Sequence, residues 1–135
     1  MTDFTLHPQL AKDTVFVTKL TLCRVLLMTD ATYPWLVLVP ELGDIRELHQ
    51  LVGEDQQALM QEITFVAAKL EALMGADKMN VAALGNMVPQ LHIHVIARFE
   101  SDPAWPGPVW GAVPARAYTE EALEAQVEKL RACLT

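Results

Sequence analysis

Gln90-Leu91-His92-Ile93-His94-Val95-Ile96 is the stretch around which the rest of the chain can be ordered. Read with a period of two, it separates into two faces. Gln90, His92 and His94 fall on one side, and Leu91, Ile93 and Val95 on the other. Successive side chains of a β-strand point to opposite faces, so this is a strand pattern with one apolar face and one carrying two imidazoles and an amide. Two histidines at i and i+2 have Cβ atoms about 7 Å apart, two strand rises. That is close enough for both rings to reach one phosphate or one metal ion.

Working outward, Asn80 to Leu84 reads as another strand, and Gly85-Asn86 opens the loop that returns to the histidines. Upstream lies a helical stripe over Glu54 to Met74. Leu59, Ile63, Val66, Leu70 and Leu73 recur at steps of four and three, the spacing of one helix face. Glu54 and Asp55 suit the first turn of the helix dipole, and Gly75 suits a left-handed cap. Three more strands precede it: Val15 to Val17, Lys19 to Met28, and Trp35 to Val39. The last is apolar throughout, which predicts burial on both faces, and Pro40 ends it. A short turn at Gln9 to Lys12 and another within Asp44 to Gln50 complete the N-terminal half. Asp102 to Pro114, rich in Pro, Gly and Trp, predicts an ordered irregular loop. Tyr118 to Leu134 predicts a C-terminal helix capped by Thr119. The expectation is a single domain over residues 1–135 of the α+β class. It has about five mainly antiparallel strands, one long helix packed on the sheet, and a C-terminal helix.

The residues and their order resemble the histidine-triad (HIT) superfamily of nucleotide hydrolases and transferases. The family pattern is His-φ-His-φ-His-φ-φ, with φ apolar. Gln90 to Ile96 matches it except at the first histidine, where Gln90 stands. Asn80 to Pro89 resembles the strand and loop before that motif in the bacterial dinucleoside-polyphosphate hydrolase-like members. Leu26 to Asp30 and Trp35 to Pro40 resemble the family's nucleoside-side strands. The likeness runs from about Leu20 to Trp110.

The resemblance implies a role for each matching residue. His92, the middle position, becomes the nucleophile that attacks the α-phosphorus and forms a covalent nucleotidyl-histidine. Neutral imidazole can do this without a separate base. His94 becomes a donor to a phosphate oxygen or to the leaving group. At Gln90 the family uses the backbone carbonyl to hold the nucleophile's outer N–H. A carbonyl survives the change to glutamine, so activity is expected to persist, while any proton transfer by that side chain is in doubt. Asn86 is expected on the phosphates, Gly85 to let the chain approach closely, and Asp30 on the ribose hydroxyls, with Met28 beside it in the base pocket. The resemblance also implies a homodimer whose sheets join.

Other residues carry alternatives from their type alone. Arg98 could reach a phosphate or form a surface salt bridge. Trp105 and Trp110 could cover the site, complete a partner's pocket, or pack locally. His7 and His49 are expected on the surface, and Cys23 and Cys133 as reduced thiols.

Composition bounds the function further. The 135 residues are 52% hydrophobic, with net charge −7 from 17 acidic and 10 basic residues. That balance argues against broad nucleic-acid binding, though not against a small nucleotide. No run reaches the eighteen or so apolar residues of a membrane span. Met1-Thr2-Asp3-Phe4 carries no signal-peptide pattern, so the cytoplasm is the expected compartment. The function expected is hydrolysis or transfer at the α-phosphate of a nucleoside phosphate: a dinucleoside polyphosphate, a phosphoramidate or an acyl-adenylate. No cofactor is required, with Mg2+ an optional aid to polyphosphate substrates. Two alternatives remain: a nucleotide-binding protein without turnover, motivated by Gln90, and a His-x-His metal site.

Overall fold

The computed structural model describes residues 3–135; Met1 and Thr2, the start of the stretch read for a targeting signal, lie outside the described residues. Helix α1 (Pro8–Asp13) leads into β1 (Thr14–Lys19), β2 (Cys23–Met28) and β3 (Trp35–Pro40). The long helix α2 (Gly53–Met74), strands β4 (Lys78–Ala82) and β5 (Ile93–Arg98), and helix α3 (Glu120–Leu134) follow. The five strands form one sheet in the order β1-β2-β3-β5-β4, each pair antiparallel. The α+β expectation is met.

The sheet divides the core in two. On one face Val25, Leu27, Leu36, Leu38, Ile93 and Val95 pack with the α2 stripe of Leu59, Ile63, Val66 and Leu70, and with Leu130 and Leu134 of α3. On the other, Leu26, Trp35, Val37, Val39 and Ile96 pack with Tyr33, Val109 and Leu10 from loops and α1. Strand β3 is buried along its whole length, as its unbroken apolar run requires. Helix α2 stops where it should: Gly75 adopts φ 66, ψ 40, the left-handed cap for which glycine carries no Cβ penalty. Glu62 on α2 ties the helix to the β1–β2 turn, its two carboxylate oxygens accepting from the N–H groups of Leu22 and Cys23, each at 2.8 Å.

Some boundaries move from the sequence reading. Lys19 ends β1 rather than opening β2, because Leu20 to Leu22 make the turn between them. Strand β4 begins at Lys78 and ends at Ala82, and β5 begins at Ile93, so His92 is the last residue before the ladder. The polar face of the motif is covered where it carries the histidines: His92 and His94 are only 6% and 5% exposed. The 102–110 loop and the return loop before the motif cover it.

Candidate active site

The return loop folds straight back over the two histidines. Residues 83–89 leave β4, and the Val88 N–H bonds the Gly85 carbonyl at 3.3 Å to close a turn. The Leu84 carbonyl and Gly85 then lie against the motif. A Cβ built on Gly85 would stand 2.2 Å from Cε1 of His92 and 2.8 Å from its Nε2. Only a residue without a side chain lets the loop pass there.

The two imidazoles have opposite circumstances, although their rings sit edge to face with centroids 5.0 Å apart. His92 Nδ1 donates to the Gln90 backbone carbonyl at 2.7 Å. A carbonyl oxygen only accepts, so the proton is assigned to Nδ1 and Nε2 keeps its lone pair. His92 lines a cavity of about 420 Å³, together with Gly85, Asn86, Gln90, Arg46 and Glu47. In the neutral ring the nitrogen left free of that carbonyl is Nε2, the tautomer fixed from behind.

His94 is closed off. The Trp35 indole Nε1–H donates to its Nδ1 at 3.0 Å, and its Nε2 donates to the Leu84 carbonyl at 2.8 Å. The Trp110 ring stands edge-on to it at 5.0 Å. Burial pushes the His94 pKa down to about 4, and the neighbouring His92 adds to the fall, against the Leu84 hydrogen bond, which raises it. His94 is therefore neutral at pH 7 with both ring nitrogens engaged. In this arrangement the two ring nitrogens of His94 are held by Trp35 and the Leu84 carbonyl. His94 buttresses His92 and pins the return loop. Among the described residues no three His, Cys, Asp or Glu side chains group as a metal site.

The Gln90 side chain is engaged by the N-terminal segment. Its Oε1 accepts from the His7 backbone N–H and its Nε2 donates to the Thr5 carbonyl, both at 2.9 Å. The Gln90 amide clasps the N-terminal segment, while its backbone carbonyl holds His92. His7 itself caps α1, its Nδ1 accepting from the Gln9 N–H at 3.0 Å.

Of the remaining expected residues, Gly85 and Asn86 line the His92 cavity, and Asp30 and Met28 do not. Asp30 Oδ1 accepts from the N–H groups of Thr32 and Arg116, holding the segment before α3 against the end of β2. Met28 packs against the second core cluster. Arg98 is neither a phosphate contact nor a surface residue. It is 1% exposed and makes a two-pronged pair with Asp102, at 2.8 and 3.0 Å, plus a 2.7 Å bond to Asn80. Asp102 in turn accepts from the N–H groups of Phe99, Ala104 and Trp105. That knot shapes the loop whose Trp110 abuts His94. Trp105 lies over Arg98, 5.8 Å from its guanidinium carbon. Both cysteines are free thiols, and burial raises the pKa of each.

Sequence reasoning missed two groups. Arg46 and Glu47 lie in what reads as a polar connection, and no local pattern marks them. Trp35 was legible as core, but not as the donor that fixes the His94 tautomer.

A HIT domain family model matches residues 9–101, and the chain belongs to that family. It is 51% identical to a histidine triad protein from Marinobacter aquaeolei VT8, covering 98% of this chain and 97% of that one, with TM-score 0.95. A histidine triad protein from Bradyrhizobium japonicum is 42% identical, with coverage of 99% and 100% and TM-score 0.96. A third, from Sinorhizobium meliloti 1021, is 46% identical over 97% of each chain, with TM-score 0.94. No curated protein matches the chain. Membership of the family points to nucleotide binding or nucleotide hydrolase and transferase activity. No helix of the described residues is long and apolar enough to cross a membrane.

Proposed function

We propose that the protein hydrolyses or transfers a nucleotidyl group, acting at the α-phosphate of a nucleoside phosphate through a covalent intermediate on His92. One observation carries the reading: Nδ1–H of a buried imidazole is held by the Gln90 carbonyl while the ring lines a cavity. The Nε2 lone pair attacks the α-phosphorus, and the bond from phosphorus to the leaving group breaks with its electron pair on the leaving group. The imidazole, now bonded to phosphorus and still carrying Nδ1–H, is cationic, and the Gln90 carbonyl stabilises it. Water or another hydroxyl acceptor then attacks phosphorus and loses its proton to solvent, the P–N bond breaks and its electrons return to Nε2. Asn86, in the cavity wall, supplies a neutral amide to the phosphate oxygens. The substrate is a dinucleoside polyphosphate, a phosphoramidate or an acyl-adenylate, with Asp30 and Met28 on the nucleoside side. No cofactor is needed, and Mg2+ would serve only to screen a polyphosphate.

A homodimer accompanies this reading. Strand β4 is a sheet edge, and Val81 on it is 48% exposed, next to exposed Leu84 and Met60. An unpaired edge beside apolar side chains favours pairing with a second copy. Light scattering of the purified protein at twice the protomer mass would support it, and a monomer would refute it.

The test is intact-protein mass in neutral buffer with EDTA during turnover of adenosine phosphoramidate or a dinucleoside tetraphosphate. His92→Ala and His92→Gly run beside the wild type, and AMP release is followed in parallel. A wild-type adduct of one AMP, absent from both variants, establishes the nucleophile. AMP release unchanged in His92→Ala refutes it. Tight nucleotide binding with neither adduct nor AMP would make the protein a binder without turnover.

A further inference from the structure

We propose that Arg46 recognises phosphate in the leaving group, so that the site prefers substrates whose leaving group is itself a phosphate ester or anhydride. The proposal rests on the function proposed above and names its substrate class.

The argument begins with charge. The protein carries 10 Lys and Arg against 17 Asp and Glu, so its overall field opposes an anionic substrate. Of the residues lining the His92 cavity, Arg46 alone is a lysine or arginine. Its guanidinium makes no hydrogen bond or ion pair among the described residues, whereas Arg24 and Arg98 are both paired with carboxylates. Arg46 is thus an unpaired cation beside the candidate nucleophile.

Its backbone is held in place. Gln50 Oε1 accepts from the N–H groups of both Arg46 and Glu47, at 2.8 and 2.9 Å. The Ile45 carbonyl accepts from the N–H of Leu91, the residue before His92, at 2.9 Å. The segment bearing Arg46 is therefore fastened to the motif itself, and the side chain is exposed at the rim.

Direction follows from the chemistry. Attacking and leaving atoms lie roughly in line in phosphoryl transfer. A nucleophile on the buried floor sends the leaving group outward, towards the rim. There a second cavity, of about 620 Å³, begins, and Arg46, Pro89 and Gln90 line both. Arg46 stands at their junction, where the first phosphate beyond the α-phosphate would pass. The second cavity carries Asp3 and Asp44, which repel further phosphate. Glu47 in the first cavity opposes Arg46 in part, so the charge read is short: one or two phosphates next to the scissile bond.

The experiment compares diadenosine tetraphosphate with adenosine phosphoramidate, whose leaving group carries no phosphate, in wild type, Arg46→Ala and Arg46→Lys. The specificity ratio, kcat/KM for the tetraphosphate over the phosphoramidate, is expected to fall about tenfold in Arg46→Ala, a low-end value for one charge-assisted contact at a partly exposed site. Arg46→Lys restores part of it. Calorimetry supplies an arm that needs no turnover: wild type prefers ADP to AMP, and Arg46→Ala abolishes that preference. An unchanged ratio, or equal affinity of the wild type for ADP and AMP, overturns the role of Arg46. Loss of both activities in His92→Ala with an unchanged Arg46→Ala ratio would refute Arg46 alone. Retention of both in His92→Ala refutes the underlying function, whatever Arg46 does.

Discussion

Gly85→Ala tests the site at its tightest point. The new methyl carbon would lie 2.2 Å from Cε1, 2.8 Å from Nε2 and 3.2 Å from Nδ1 of His92. Carbon atoms rest about 3.5–4.0 Å apart. Either the ring or the loop must therefore move by roughly 1.3–1.8 Å, the shortfall against that separation. The ring is tethered through Nδ1 to the Gln90 carbonyl at 2.7 Å, so a shift of that size breaks the bond that fixes its tautomer. The loop is tethered too, because the Leu84 carbonyl accepts from His94 at 2.8 Å. Displacing a reacting group by about 1 Å can lower the rate about a hundredfold, which corresponds to about 2.7 kcal/mol in the barrier. Stability should suffer less than activity. Overpacking costs about 1–3 kcal/mol, and a stiffer unfolded chain returns about 0.4–1 kcal/mol, since Gly85 does not have a positive φ. The assay is kcat/KM for AMP release beside a urea unfolding curve, with the His92 tautomer read by long-range nitrogen–proton NMR. A folded Gly85→Ala protein with wild-type kcat/KM and an unchanged His92 spectrum would refute the claim that glycine is required there.

The His94 environment gives a pH signature. Its folded pKa, about 4, lies below the ordinary value of 6.5, so the unfolded chain binds the extra proton first as pH falls. Stability should be fullest above about pH 6.5 and decline towards pH 4, by a few kcal/mol in total; His94→Leu should flatten that slope in urea titrations between pH 7 and 5. Asp102→Asn removes one partner of a pair whose side chains are 2% and 5% exposed, and should cost about 3–5 kcal/mol in denaturation at pH 7. Hydrogen bonding to Arg98 holds the Asp102 pKa down to about 2, so the wild-type pair contributes fully above the ordinary carboxylate range. That contribution is lost as pH falls through about 2, and an Asp102→Asn penalty as large at pH 2 as at pH 7 would contradict it. Gln90→Ala deletes two hydrogen bonds to the N-terminal segment, worth about 1–3 kcal/mol together. Hydrogen exchange at residues 3–9 should quicken more than exchange in α2.

Much of the fold is determined by the sequence alone, because it rests on local periodicity. The Leu59–Leu70 stripe, the left-handed Gly75, the unbroken apolar run of β3 and the alternation around His92 each follow from short-range geometry, and each stands where that geometry puts it. The candidate nucleophile was legible in another way, through the resemblance of seven consecutive residues to the family motif, which periodicity alone does not supply. The different surroundings of the two histidines were not legible. His92 and His94 share one strand face, and period-two reasoning treats them alike. Their difference comes from Trp35, 59 residues away from His94, and from a carbonyl on a loop that only the folded chain lays over the motif. Arg98 has the parity of a surface residue, yet Asn80 and Asp102 bury it in a satisfied knot. Arg46 carries no local signature and reaches the cavity only because Ile45 is bonded to Leu91. Periodicity decides which way a side chain points; what it meets there depends on segments distant in sequence, and only the tertiary structure brings them together.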